Sequence, residues 1–140
     1  MSDQEVQQKY MELQMISSQL KQVQQQVEVL SHQIVELSRV NESLEDISKA
    51  KKGTDIMAPL GSGIFIKASL KETKEVLLNV GGEIMVNKNT VDAKTLVSNQ
   101  IEEMTKIMEN LQNEYAKGAT RAQEIQMEMQ SMMAKAQKSK

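Results

Sequence analysis

Apolar residues recur every seven positions through both ends of this chain. Toward the N-terminus Val6, Leu13, Leu20, Val27 and Ile34 form one series; Ile16, Val23, Leu30, Leu37 and Leu44 form a second, offset by three. These are the a and d positions of a coiled coil, and their persistence predicts one long helix with a narrow apolar stripe. Lys9 falls at a d position, and Asn41 and Ser48 fall at a positions. An Asn at an a position fixes register at some cost in stability. A solvated place near the helix end explains Asn41 equally well, and both readings stay open. Lys49, Lys51 and Lys52 suit the negative end of the helix dipole, and Gly53 suits the left-handed conformation that ends a helix.

The second helix is expected from Asn89 or Thr90, either a good N-cap, with Asp92 in its first turn. Its stripe runs Val97, Ile101, Met104, Met108, Leu111, Tyr115, Gly118, Ala122, Ile125, Met129, Met132 and Ala136 in alternating steps of three and four. Gly118 costs up to ~1 kcal/mol relative to Ala inside a helix, which calls for a packing reason. A short connection makes the two helices antiparallel, so facing residue numbers have a constant total. A total of 145 places Leu20 on Ile125, Val27 on Gly118, Leu30 on Tyr115, Ile34 on Leu111 and Leu44 on Ile101. A total of 138 places Leu44 opposite Lys94. The first is preferred because it buries Leu44. Each arm of about 50 residues would extend about 75 Å at the helical rise.

Between the arms the period changes from seven to two. Residues 57–60, the turn Gly61-Ser62-Gly63 and the alternating stretch Ile64, Ile66, Ala68, Leu70 read as one β-hairpin. Residues 76–80, Gly81-Gly82 and residues 83–88 read as a second, the Gly pair supplying the positive φ of a tight turn. The expected organisation is an N-terminal arm (1–52), two hairpins (53–88) and a C-terminal arm (89–140). A lone hairpin is marginal in water. Ile64, Ile66, Leu70, Val76, Leu78, Val80, Ile84 and Val86 are therefore expected to pair with hairpins of other subunits. The fold class is α+β: a long antiparallel coiled-coil hairpin with two central β-hairpins that assemble into an intersubunit β-barrel.

Composition agrees with long solvated helices. Phe65, Tyr10 and Tyr115 are the only aromatic residues, too few for an ordinary core. A net charge of -2 argues against a nucleic-acid or membrane-surface role. No apolar run approaches the ~20 residues of a membrane span, and the polar opening MSDQEVQQ does not read as a secretory signal, so a cytoplasmic protein is expected.

No catalytic, cofactor or metal site is expected. There is no Cys, and the single His, His32, falls at an outward f position. The Gly-rich turns match no phosphate-loop pattern. Glu72 with Glu75 and Glu102 with Glu103 read as solvated pairs, and the lysines from Lys135 to Lys140 as a solubilising tail.

The methionines are distributed unevenly. Of eleven, Met1, Met11, Met15, Met127, Met129, Met132 and Met133 lie toward the termini, which an antiparallel hairpin brings together. Met129 and Met132 hold stripe positions; Met11, Met15, Met127 and Met133 do not. Partial exposure of a helix surface would account for them, but thioethers also adapt to irregular partners, which suits low-specificity binding. With Lys9 in the stripe and Ser139 near the end, a frayed tip would expose more apolar area. Val6, Tyr10, Met11, Met15, Met127, Met129, Met132 and Met133 are the candidate contact residues.

The segment PLGSGIFIKASLKETKEVLLNVGGEIMVNKNTVDA, with helices on both sides, resembles a prefoldin subunit, and the resemblance covers essentially the whole chain. Two hairpins resemble the alpha type; the beta type has one. The absence of an added extension resembles the archaeal form. The resemblance implies a hexamer of two alpha and four beta subunits with a double β-barrel body and six coiled-coil tentacles. It also implies an ATP-independent chaperone that holds unfolded proteins at the tentacle tips and transfers them to a group II chaperonin. The alternative is a scaffolding coiled coil that binds one defined helical partner. A nucleic-acid binder using the Lys-rich tail is the weakest reading.

Overall fold

The computed structural model describes residues 3–138; Met1, Ser139 and Lys140 lie outside the described residues. The order is α1 (Asp3–Lys49), β1 (Asp55–Gly61), β2 (Ile64–Ser69), β3 (Glu75–Gly81), β4 (Ile84–Asn89) and α2 (Thr90–Lys138). The chain divides into two compact units. The terminal unit joins the residues up to Gln33 with those from Met104 onward, and the central unit is Ile34–Glu103.

In the central unit α1 stops at Lys49, three residues before the expected boundary. Gly53 does have a positive φ, +86°, but it serves the turn that Thr54 N–H closes on Lys51 O, and its own amide donates to Leu70 O at 2.7 Å. The start of α2 is capped by Asn89, whose Oδ1 accepts from Val91 N–H at 2.8 Å. Thr90 is 1% exposed; its amide donates to Lys74 O and its hydroxyl to Thr73 O. The linker before β3 is itself organised: Glu72 Oε1 accepts from Lys74 N–H at 3.0 Å, and that bond chiefly holds the carboxyl below the usual carboxylate range.

Each hairpin closes through a two-residue loop with positive φ throughout. The loops are Ser62-Gly63 (+52°, +77°) and Gly82-Glu83 (+54°, +65°). This handedness matches the twist of the flanking strands. The expected Gly81-Gly82 pair is thus split: Gly82 opens the loop, and Gly81 (φ +121°) sits beside the register shift after Asn79. Asn79 Oδ1 accepts from Gly81 N–H at 2.9 Å and fixes that bulge. Gly61 (φ +113°) holds the same place in the first hairpin. Strand for strand, the second hairpin repeats the first 20 residues later.

The strands form two separate two-stranded sheets. Val76 and Leu78 of β3 pack, with Leu37 and Ile101, against a small core of Leu44, Ala93 and Val97. Of the eight residues expected to pair between subunits, Leu70, Val76 and Leu78 are half-buried within the chain. The other five, Ile64, Ile66, Val80, Ile84 and Val86, are exposed.

The coiled-coil register differs from the preferred one. Gly118 faces Leu20: a Cβ on it would lie 2.6 Å from Leu20 Cδ2 and 4.0 Å from Ile16 Cγ2. Leu44 is buried beside Ala93 and Val97, and Glu45 pairs with Lys94. These contacts fit a total near 138, so the pairings of Leu20 with Ile125 and Leu44 with Ile101 are corrected. Lys94 is accommodated in the stripe because its half-buried side chain carries the ammonium to Glu45. Gly118 then has its packing reason: Leu20 occupies the space a side chain would need. Asn41 acts across the seam, its Nδ2 donating to Ser98 Oγ at 2.9 Å. The register has a direct test, since the chain lacks Cys. Leu20→Cys with Gly118→Cys should cross-link under mild oxidation and Leu20→Cys with Ile125→Cys should not, since a disulfide needs Cα atoms within about 7 Å. The reverse pattern on a non-reducing gel would restore the register of 145.

Candidate functional site

The terminal unit contains all eight candidate contact residues. Its seam is held by Ile125, the most completely buried large side chain described, at 0% exposure. The eight residues do not form one patch. Val6, Met132 and Met133 line a shallow groove of about 620 Å³ with Asp3, Gln7, Lys135 and Ala136. Met11 and Met15, one helical turn apart on α1, are 63% and 64% exposed. Met127, on α2, is 65% exposed. Met11 and Met127 both occupy f positions, so they point away from the seam on opposite outer faces. Tyr10 is exposed on a flank, and Met129 and Met132 are half-buried in the seam.

One flank of this unit is ionic, which the sequence reading did not anticipate. Lys9 Nζ lies 2.7 Å from Glu128 Oε2, and Arg121 Nη2 lies 3.1 Å from Glu12 Oε1. Arg121 Nη1 is 3.5 Å from Glu124 and 3.8 Å from Glu128. Lys9 therefore does not leave a hole in the stripe; its side chain crosses to an acid on the other helix. The signal was present as opposite charges at g positions, Glu12 on one helix and Arg121 and Glu128 on the other, but it is visible only in the correct register.

The hydrogen bond from Lys9 holds the Glu128 carboxyl below the usual carboxylate range, outweighing its partial desolvation. The bond to Glu12 raises the Arg121 guanidinium further. A depressed folded-state pKa stabilises above the unfolded carboxylate range, and that stabilisation is lost as pH falls through the folded value. These groups are exposed, so the effect is small and screened by salt. Glu128→Gln should therefore flatten the low-salt acid limb of the melting-temperature profile. An unchanged slope would remove Glu128 from that role.

No helix among the described residues is long and apolar enough to cross a membrane. No group of three or more metal-ligating side chains occurs among the described residues.

The comparisons with known proteins agree with this architecture. The family model described as prefoldin subunit matches residues 16–135. The chain belongs to the prefoldin family. It is 27% identical over 136 residues to prefoldin subunit alpha of Methanococcus vannielii, covering 97% of this chain and 91% of that one. It is 32% identical over 104 residues to prefoldin subunit alpha of Methanococcus aeolicus, covering 74% and 70%. Human prefoldin subunit 5 is 32% identical over 108 residues, covering 72% of this chain and 68% of that one. Among solved structures, a chain of filamentous prefoldin from Methanocaldococcus jannaschii shares the fold, with a TM-score of 0.73 at 15% identity. The alignment spans 85% of this chain and 98% of that one. The chain is an alpha-type prefoldin subunit with the two hairpins expected of that type, and its role is that of a chaperone subunit.

Proposed function

We propose that this subunit assembles through its hairpins with beta-type prefoldin chains, two alpha to four beta, and holds unfolded proteins at its terminal unit in the cytoplasm without ATP. The held protein is then released to a group II chaperonin. The observation that carries the reading is the exposure of Met11, Met15, Met127 and Met133 at positions where a coiled coil needs only polar residues. Supporting it, both hairpins have unpaired outer edges within the chain and carry large exposed apolar side chains. Such edges favour addition of strands from other chains.

The energetics suit a holdase. A few hundred Å² of apolar contact per unit is worth several kcal/mol at about 25 cal/mol/Å², before association costs. That alone gives weak, fast-exchanging binding. Several units acting on one client raise the effective concentration and hence the avidity, while each contact stays reversible. Release then requires only a competitor.

Mixed with a beta-type chain, the protein should form a complex of hexameric mass that suppresses aggregation of a denatured client near stoichiometry without nucleotide. Light scattering and native mass measurement check both points. Capture of a single helical partner with no affinity for generic unfolded chains would replace this reading with the scaffolding one.

A further inference from the structure

We infer that Met11, Met15, Met127 and Met133 are oxidant-sensitive modification sites whose oxidation switches client holding off without unfolding the chain. The inference rests on the holdase reading above. The chain has no Cys, so its only oxidisable sulfur is thioether, in eleven methionines. The structure sorts those it describes. Met57 and Met85, 70% and 52% exposed in the single chain, lie on strands β1 and β4 of the central unit and are oxidisable as well. Met11, Met15, Met127 and Met133 are 63%, 64%, 65% and 54% exposed, all in the terminal unit and all off the seam. Met104, Met108, Met129 and Met132 are half-buried in the seam. Oxidation follows access, and the outer four are open to a small peroxide.

The chemistry is a two-electron oxygen transfer. The thioether sulfur attacks one oxygen of hydrogen peroxide, the O–O bond breaks, and methionine sulfoxide and water are formed. A dithiol reductant reverses it through a sulfoxide reductase, returning the thioether, a disulfide on the reductant and water. At seam positions the added oxygen would disturb packing. At the outer four the side chains contribute little packing, so the helices survive. What changes is the surface, since a flexible apolar side chain becomes a polar one and its attraction for an apolar client is lost.

The test uses the assembled complex treated with hydrogen peroxide and sampled in time. Peptide mass spectrometry should show Met11, Met15, Met127 and Met133 oxidised several-fold faster than Met104 and Met108. Helical circular dichroism should stay unchanged while suppression of client aggregation falls several-fold. A methionine sulfoxide reductase with dithiothreitol should restore it. A variant with all four residues changed to Leu should hold clients and ignore peroxide. Loss of holding by that variant under peroxide would overturn the inference, as would full holding by the native complex once the four sulfoxides are formed. A four-site Met→Gln variant separates the two readings. If it holds clients normally before any peroxide is added, the assignment of holding to these side chains fails. If it has lost holding while the sulfoxide form of the native complex retains it, only the oxidation switch fails.

Discussion

Removing residues 1–15 together with residues 123–140 should abolish client holding and leave the assembled complex at the mass expected for the shortened chains. The register dictates where to cut. With facing residues totalling 138, Ile16 lies at the level of Ala122, so this pair of cuts leaves a flush end. Cutting α2 at 127 instead would leave Ile125 without Leu13 opposite it, and the 0% exposed side chain would become a new apolar surface. That artefact would itself bind clients through the area it exposes. The flush truncation deletes all eight candidate residues and, of the ionic flank, Lys9, Glu12, Glu124 and Glu128, leaving only Arg121, while keeping the central unit intact. The expected loss is large because avidity multiplies: weakening each of several contacts removes nearly all of the combined affinity. Light scattering with a denatured client reads the first outcome and native mass spectrometry the second. Undiminished holding by a correctly assembled truncation would show that clients bind elsewhere.

Leu44→Ala should destabilise the central unit by about 2–5 kcal/mol, the cost of a large-to-small change at a buried aliphatic site. Leu44, Ala93 and Val97 are the unit's only buried apolar residues, and Val76 and Leu78 of the second hairpin pack on them. Ala93 is already minimal, so the cluster has little side-chain volume with which to close a cavity. The loss therefore releases the anchor of the second hairpin on the helices, and assembly through that hairpin should weaken with it. Val40→Ala, on the same helix but 46% exposed, is the control and should stay within about 0.5 kcal/mol. Thermal melts followed by circular dichroism, with native mass measurement, distinguish the two. Equal shifts for both substitutions would mean that the cluster is not what holds the hairpin.

The helices and hairpins were legible because their periods are unmistakable. A seven-residue stripe from Val6 to Leu44 admits no strand, and alternation through Ile64, Ile66 and Ala68 admits no helix. The register was not legible from apolar counting. Both candidate registers bury mostly aliphatic layers, and the choice turned on burying Leu44, which the other register sets opposite Lys94. Its pairing with Glu45 reverses that judgement, because a Lys at a stripe position can bury its stem and keep its charge in water. Once the register was misplaced, the ionic flank at Glu12, Arg121 and Glu128 could not be seen. The exposure of Met11, Met15 and Met127 followed directly from the heptad, since f and c positions face solvent in either register; Met133, at an e position, borders the seam. The loop geometry was half legible: two glycines announced a tight turn, but positive φ at Ser62 and Glu83 is imposed by strand register, which residue type alone does not give.

The repetition of one hairpin plan 20 residues downstream bears on valence. Matching loops, matching bulges and equal strand lengths give the polypeptide two equivalent adhesive modules on one backbone. Under the assembly proposed above, such a chain joins two sheets at once, whereas a relative with a single module completes one.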